Sequence, residues 1–361
     1  MKVIKRLTLL WLFLLGGFAC TKTTTVKVPL IEEDVDLASY VRINFNFSLF
    51  AHALQRTGLD SVIKDTTPHT LLVPDNTAFA QLGILTNDDL DKMALDSLKR
   101  WMGMHILAIN AAVADIPRAI NRSYFSINNM ELHVTHNTNE LRVNGVRIVK
   151  PDLKASNGYI HVLERPLRLP WPSIKYFLTH DSSYSILAAG LQRFNLLDQL
   201  DSAGPFTLIA PFNDAFIGEG LPLDSVNRMD PQQFKAFLFS AGTIPRTRIY
   251  TADMTDAEFQ PPGGLAVIGP DYLTSLYYSD GGANSLFYVY DPMRSGLNPN
   301  WFYNTAFLGP SYVASFQIPG GGGITGVGPQ TLSSTVNLDC DNGVVHGVND
   351  ILVWPDSARI H

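Results

Sequence analysis

Residues 48–79 recur at 185–216 without a gap, and a chain that repeats itself over this length uses one folding unit twice. Ser48, Ala51, Leu54, Gln55, Arg56 and Leu59 reappear 137 positions later as Ser185, Ala188, Leu191, Gln192, Arg193 and Leu196. The match passes through Pro68 and Pro205. It ends in two near copies of one phrase, TLLVPDNTAF from Thr70 to Phe79 and TLIAPFNDAF from Thr207 to Phe216. A second pair, Asn157 to Leu163 and Asn342 to Val348, closes each copy. Its offset is 185, so the second copy carries roughly 48 extra residues, between about Thr251 and Leu338.

The local pattern predicts the same elements in each copy. Leu49, Phe50, Ala53 and Leu54 share one helical face, as do Ile186, Leu187, Gly190 and Leu191. A turn at Thr66-Thr67-Pro68 or Ala203-Gly204-Pro205 leads into a short buried strand. That strand ends at Pro74 or Pro211, because proline brings no donor to a ladder. Asn76 and Asn213 are placed to cap the helices carrying Phe79 and Phe216. The Asn-Gly of the closing phrase predicts a positive-φ turn into a strand. Between the two phrases, the first copy predicts a helix over Leu98 to Leu107. Alternating strands follow at Tyr124 to Ile127, Glu131 to Val134 and Leu141 to Val149. Helices followed by strands give an α+β class. Pro166, Pro170 and Pro172 predict a short, stiff connection between the copies.

These phrases resemble the fasciclin, or FAS1, domain. Its first motif, Thr-x-x-x-Pro-x-Asn-x-Ala-Phe, stands here at Thr70, Pro74, Asn76 and Phe79, and again at Thr207, Pro211, Asn213 and Phe216. Its second, Asn-Gly-x-x-His, supplies His161 and His346. The family's Tyr-His pair between them is reduced to Met104-His105 in the first copy and to Ser240-Ala241 in the second. The resemblance implies two fasciclin-like units, each a β-sandwich-like wedge with packed helices. They cover residues 36–169 and 171–356, the second with its insertion at about 251–338. It also implies adhesion or binding at a cell surface without enzymatic activity.

The amino terminus adds a location. Lys2, Lys5 and Arg6 precede an apolar run, Leu7 to Phe18, shorter than the roughly 20 residues a bilayer span needs. Residues 1–19 therefore predict a signal peptide. Gly17-Phe18-Ala19-Cys20 resembles a bacterial lipobox, which makes Cys20 the lipidated first residue of a tether over 20–35. The expected partners are the membrane, through that lipid, and a protein or glycan at the cell envelope, with the outer membrane the expected site. The formal charge is −6 and grows more negative once Lys2, Lys5 and Arg6 are removed, so nucleic acid is a poor partner.

Chemistry-bearing clusters are sparse. Cys20 and Cys340 are the chain's cysteines, which leaves no disulfide framework and no paired-cysteine zinc site. Asp339 and Asp341 should raise the Cys340 thiol pKa. His161 and His346 are expected to lie buried and neutral against backbone carbonyls. His133 and His136 are three apart on a strand, on opposite faces. No Gly-x-Ser-x-Gly elbow, His-Glu-x-x-His helix or complete P-loop is present. No cofactor or metal is expected. The candidate ligand surface is the insertion, where Tyr272, Tyr277, Tyr278, Tyr288, Tyr290, Trp301 and Tyr303 stand among Asn, Asp and Gly. Aromatic faces beside amides and carboxylates suit a sugar ring or a protein surface. Tyr288 and Tyr290 alternate about Val289, which also fits one face of a strand.

Overall fold

The computed structural model describes residues 35–360, except 65, 139, 251–252, 254–264, 269–272, 279–284, 291–303, 311–314, 318–322, 326–329, 332–334 and 354. The expected signal peptide, Cys20 and nearly all of the expected tether therefore lie outside the described residues. In the first half, helices α1 (Leu37–Ile43) and α2 (Ser48–Thr57) precede β1 (His69–Pro74). Then come α3 (Asn76–Ala80), α4 (Asn87–Asp91), α5 (Leu95–Met104) and β2 (Ile106–Leu107). Strands β3 (Ala119–Phe125), β4 (Glu131–His136), β5 (Leu141–Val143), β6 (Val146–Ala155) and β7 (Gly158–Leu163) complete it.

The second half contains α6 (Ile174–His180), α7 (Ser185–Arg193), β8 (Phe206–Pro211), α8 (Asn213–Gly218), α9 (Leu223–Asn227), α10 (Phe237–Ser240) and β9 (Thr243–Pro245). Within the insertion, backbone strands are β10 (Leu265–Ile268), β11 (Leu273–Tyr278), β12 (Ser285–Tyr290), β13 (Asn304–Pro310), β14 (Ser315–Gln317), β15 (Gly323–Thr325) and β16 (Gln330–Thr331). β17 (Leu338–Cys340) and β18 (Gly343–Val348) follow. Helices and sheets segregate along each half, so the class is α+β, as the sequence pattern predicts.

Each half is built on one parallel strand pair joining its two sequence phrases. β1 runs parallel to β7 with Leu72 opposite His161, and β8 runs parallel to β18 with Ile209 opposite His346. The first-half sheet has the order β2-β1-β7-β6-β5-β4-β3, and the second β17-β18-β8-β9. All six residues of β1 are buried, which explains its continuous apolar run. The predicted faces of α2 and α7 are both buried. Phe50, Leu54, Phe79, Trp101 and Ile160 share one core, and Phe177, Tyr184, Phe216, Phe239 and Val345 share its counterpart. A third cluster, with Leu132, Val143 and Ile148, lies under the β4–β6 strands.

Four local expectations change. The predicted helix over Leu98 to Leu107 stops at Met104, and Ile106–Leu107 leaves it to pair with β1. The run Leu141 to Val149 is two strands, because Asn144 (φ 48°) and Gly145 (φ 71°) form a hairpin turn that needs two positive φ values. The Gly of each Asn-Gly phrase is required chiefly by close approach. A Cβ on Gly158 would lie 1.8 Å from the His69 carbonyl oxygen, and one on Gly343 2.4 Å from that of Phe206.

The fourth change concerns the motif asparagines, which do not cap the helices they open. Asp75 caps α3 by accepting the Ala78 amide at 2.8 Å, and α8 begins at Phe212 with no side-chain cap. Asn76 and Asn213 are the first residues inside those helices, and each side chain reaches across to the preceding helix. Asn76 Oδ1 accepts the Leu49 amide at 3.2 Å, and its Nδ2 donates to Phe45 O and Ser48 Oγ, both at 3.0 Å. Asn213 repeats this on Ile186 (2.9 Å), Ser182 O (2.7 Å) and Ser185 Oγ (3.0 Å). α2 and α7 have no local side-chain cap, so the asparagine satisfies an early amide from a distance in sequence. Removing either side chain leaves partly buried groups of both signs unpaired. Asn76→Ala and Asn213→Ala should each lower the unfolding free energy by about 1–3 kcal/mol, read from urea denaturation curves.

Candidate functional site

The motif residues form one bonding pattern, present in both halves. Thr70 Oγ1 donates to Ile109 O at 2.8 Å and accepts the Ala111 amide at 2.9 Å. His161 Nε2 donates to Ala111 O at 2.9 Å, and its Nδ1 accepts the Asp152 amide at 3.1 Å. In the second half Thr207 holds Thr247 O (2.8 Å) and the Ile249 amide (3.0 Å). His346 Nε2 donates to Ile249 O (2.8 Å), and its Nδ1 accepts the Asn337 amide (3.3 Å). A ring that must donate at one nitrogen and accept at the other is neutral in a single tautomer. Burial lowers the pKa of His161, and lowers that of His346 to about 4. Both histidines are thus as the sequence predicts.

His105 follows the same logic with its nitrogens exchanged. Nδ1 donates to Trp101 O at 2.9 Å and Nε2 accepts the Leu167 amide at 3.1 Å, while burial holds its pKa at about 4. Its counterpart is Gly242 and not Ala241. The Gly242 carbonyl accepts the Ile209 amide as the His105 carbonyl accepts that of Leu72. Phe79 packs edge-on to Trp101 and Phe216 lies against Phe239. Pro74 and Pro211 end β1 and β8. The side chains of all these motif residues meet backbone or core.

A second polar cluster joins the two halves. Asp253 accepts the Tyr250 amide (2.8 Å), Asn121 Nδ2 (2.8 Å) and Thr135 Oγ1 (2.7 Å). Asn121 Nδ2 also donates to Arg248 O at 2.6 Å. Asn121 sits at φ 51°, a left-handed conformation that asparagine tolerates, where β3 shifts register against β4. Tyr250 donates its hydroxyl to Asp339 Oδ1 at 2.6 Å, and Arg248 Nη1 stands 3.7 Å from the same oxygen. Arg248 also donates to Cys340 O and Asp341 O, both at 3.0 Å. Burial raises the Asp339 carboxyl to about 6, against the opposing effects of Tyr250, Arg248, Asn144 and Arg165.

A cavity of about 330 Å³ opens on this cluster, with Arg248, Asp339, Glu131, His133, Arg100 and Phe125 in its wall. His136 lines a different cavity, so His133 and His136 are separated, as their spacing predicts. Cys340 also lines the first cavity. Its thiol is pushed up mainly by burial, and next by Asp339. Sequence reasoning names the carboxylates and misses the larger cause. A thiol of this kind is not an activated nucleophile.

Residues 45–170 match the family model of the fasciclin domain. Residues 45–170 form a fasciclin domain. The chain is 25% identical over 173 residues to the transforming growth factor-beta-induced protein ig-h3 of Sus scrofa, covering 47% of this chain and 25% of that one. It is 35% identical over 103 residues to periostin of Homo sapiens, covering 28% of this chain and 12% of periostin. A fasciclin-like arabinogalactan protein of Arthroderma benhamiae is 32% identical over 111 residues, 31% of this chain and 25% of that protein. The chain thus spans a quarter or less of the length of these relatives. A solved FAS1 domain pair from the insect cell adhesion molecule fasciclin I aligns with 87% of this chain and 98% of that one, at 14% identity and a TM-score of 0.34.

The insertion aromatics divide into two sets. Tyr277 and Tyr278 end β11, and Tyr288 and Tyr290 stand at alternate positions of β12. Tyr272, Trp301 and Tyr303 lie outside the described residues. The junction residues Asn121, Thr135, Arg248, Tyr250 and Asp253 carry no sequence motif and escape prediction. A usable signal is Asp253, a carboxylate three residues after a tyrosine where the second copy departs from the first.

The buried histidines give a signed pH dependence. The folded His346 ring binds its proton near pH 4, and the unfolded ring near pH 6.5. The unfolded chain therefore holds the extra proton in that window, and the stability due to the neutral ring is lost as pH falls. Between pH 7 and pH 5 the loss is about 2 kcal/mol. Glutamine does not titrate, so the stability gap between the native chain and His346→Gln should narrow by that amount over this range. Urea unfolding of both chains at the two pH values checks it.

Proposed function

We propose that this chain is a lipid-anchored cell-envelope protein of two fasciclin-like units that binds a protein or matrix-like partner and catalyses no reaction. The fasciclin-domain match over residues 45–170 carries this reading. Three further observations support it. The bonding pattern of Thr70 and His161 recurs residue for residue on Thr207 and His346, which favours a second unit of the same type. The motif side chains are engaged internally, so recognition falls to other surfaces. The buried Cys340 thiol argues against a cysteine hydrolase between the halves. Among the described residues, no helix is long and apolar enough to cross a membrane. In this proposal the anchor is the lipid on Cys20 of the lipobox-like Gly17-Phe18-Ala19-Cys20, with the outer membrane as its place.

In this reading the halves form a rigid platform and the insertion a variable contact surface. A glycan-binding accessory role in polysaccharide uptake is the second reading, favoured by the tyrosines of β11 and β12. Two experiments test the proposal. Cys20→Ala should move the protein from the membrane fraction to the soluble envelope fraction. Retention in the membrane would remove the lipid anchor from the account. Replacing residues 265–331 with a short Gly-Ser linker should abolish pull-down of envelope or matrix proteins and leave the fold intact by circular dichroism. Unchanged pull-down would rule out the insertion as the contact surface. Loss of glycan-array signal alone would favour the second reading.

A further inference from the structure

The cavity between the halves is a separate feature with its own chemistry. At about 330 Å³ it sits at the small end of the roughly 300–1,000 Å³ range of small-molecule sites. Its charged walls nearly balance. Arg100 and Arg248 face Glu131, Asp339 and Asp341, which disfavours a strongly anionic occupant such as a phosphate. The groups that balance are planar and hydrogen-bonding, and Asn129 and His133 add to them.

The wall combines a buried guanidinium with an exposed ring. Arg248 has a side chain only 8% exposed, yet its buried Nε finds no partner while the rest of its guanidinium is bonded. That nitrogen is closed off from solvent, so an occupant meets the other groups of the wall. Phe125, on the outermost strand of the first-half sheet, lines the same cavity and is 55% exposed. An exposed ring beside a set of planar polar groups offers an apolar face for C–H groups, with donors and acceptors around it.

We infer that this cavity binds a neutral sugar, of one or two rings, with its apolar face on Phe125 and its hydroxyls among Arg248, Glu131 and Asp341. Carboxylates and guanidinium groups each engage adjacent hydroxyl pairs, the former accepting and the latter donating. The cavity lies apart from strands β10–β16 in the chain, so the site does not depend on whether the insertion binds a protein or a glycan.

The test uses the full mature chain and saturation-transfer NMR with D-glucose, D-galactose, D-mannose, cellobiose and lactose, with D-galacturonate and inorganic phosphate as anionic probes. At least one neutral sugar should bind saturably. Phe125→Ala and the double variant Glu131→Gln, Asp341→Asn should each weaken it tenfold or more. These are exposed positions, so melting temperatures should stay within a few degrees. Phe45→Ala, at an exposed ring after α1 that is not part of the cavity wall, should leave affinity unchanged. Absence of binding by every neutral sugar overturns the inference, as does preference for galacturonate or phosphate. Binding that survives both cavity variants but disappears when residues 265–331 are replaced also overturns it, and leaves the insertion-based proposal standing.

Discussion

The structure depends on the need to give every buried backbone group a partner where a parallel strand pair meets an irregular segment. β1 and β7 satisfy each other, but the chain that crosses beside them at Ile109 to Ala111 has no strand of its own to join. Thr70 and His161 supply the missing partners from either side, and Thr207 and His346 do so at Thr247 to Ile249. Without them each half would bury unpaired amides and carbonyls, at about 1–3 kcal/mol for each group. The remaining motif residues act around this point. Asn76 ties α3 to α2, and Phe79 fills the core beneath.

Such a pattern explains why the histidines, which invite a catalytic interpretation, are inert in acid–base terms. A general acid or base needs a pKa near the working pH and a reachable proton. His105, His161 and His346 are buried, each is bonded at both nitrogens, and burial drives all three pKa values down. The polar groups that retain reach toward solvent are elsewhere, at the seam between the halves.

Much of the fold is legible in the sequence because its determinants are local or repeated. Helix faces, the Pro74 and Pro211 strand ends and the parallel phrases all follow from short-range pattern. The role of Asn76 is not legible, because its partners Phe45 and Leu49 lie some 30 residues upstream and no periodicity links them. The seam is harder still. Asn121 and Asp253 are 132 residues apart in the chain, and neither belongs to a motif. Their meeting follows from how two finished sheets dock, which spacing does not encode. The equivalence of His105 with Gly242, by contrast, follows the offset of the repeat, and the amides of Leu72 and Ile209 agree with it.

The insertion leaves the second half just after Asp253 and returns at Asn337. Asp253 is held by Asn121 and Thr135, and the Asn337 amide by His346. Its two roots are therefore clamped by groups that belong to the scaffold. Closing a loop between fixed ends becomes only slowly more demanding with length, about 0.6 kcal/mol per doubling. The mount accordingly tolerates wide variation in what is carried on it.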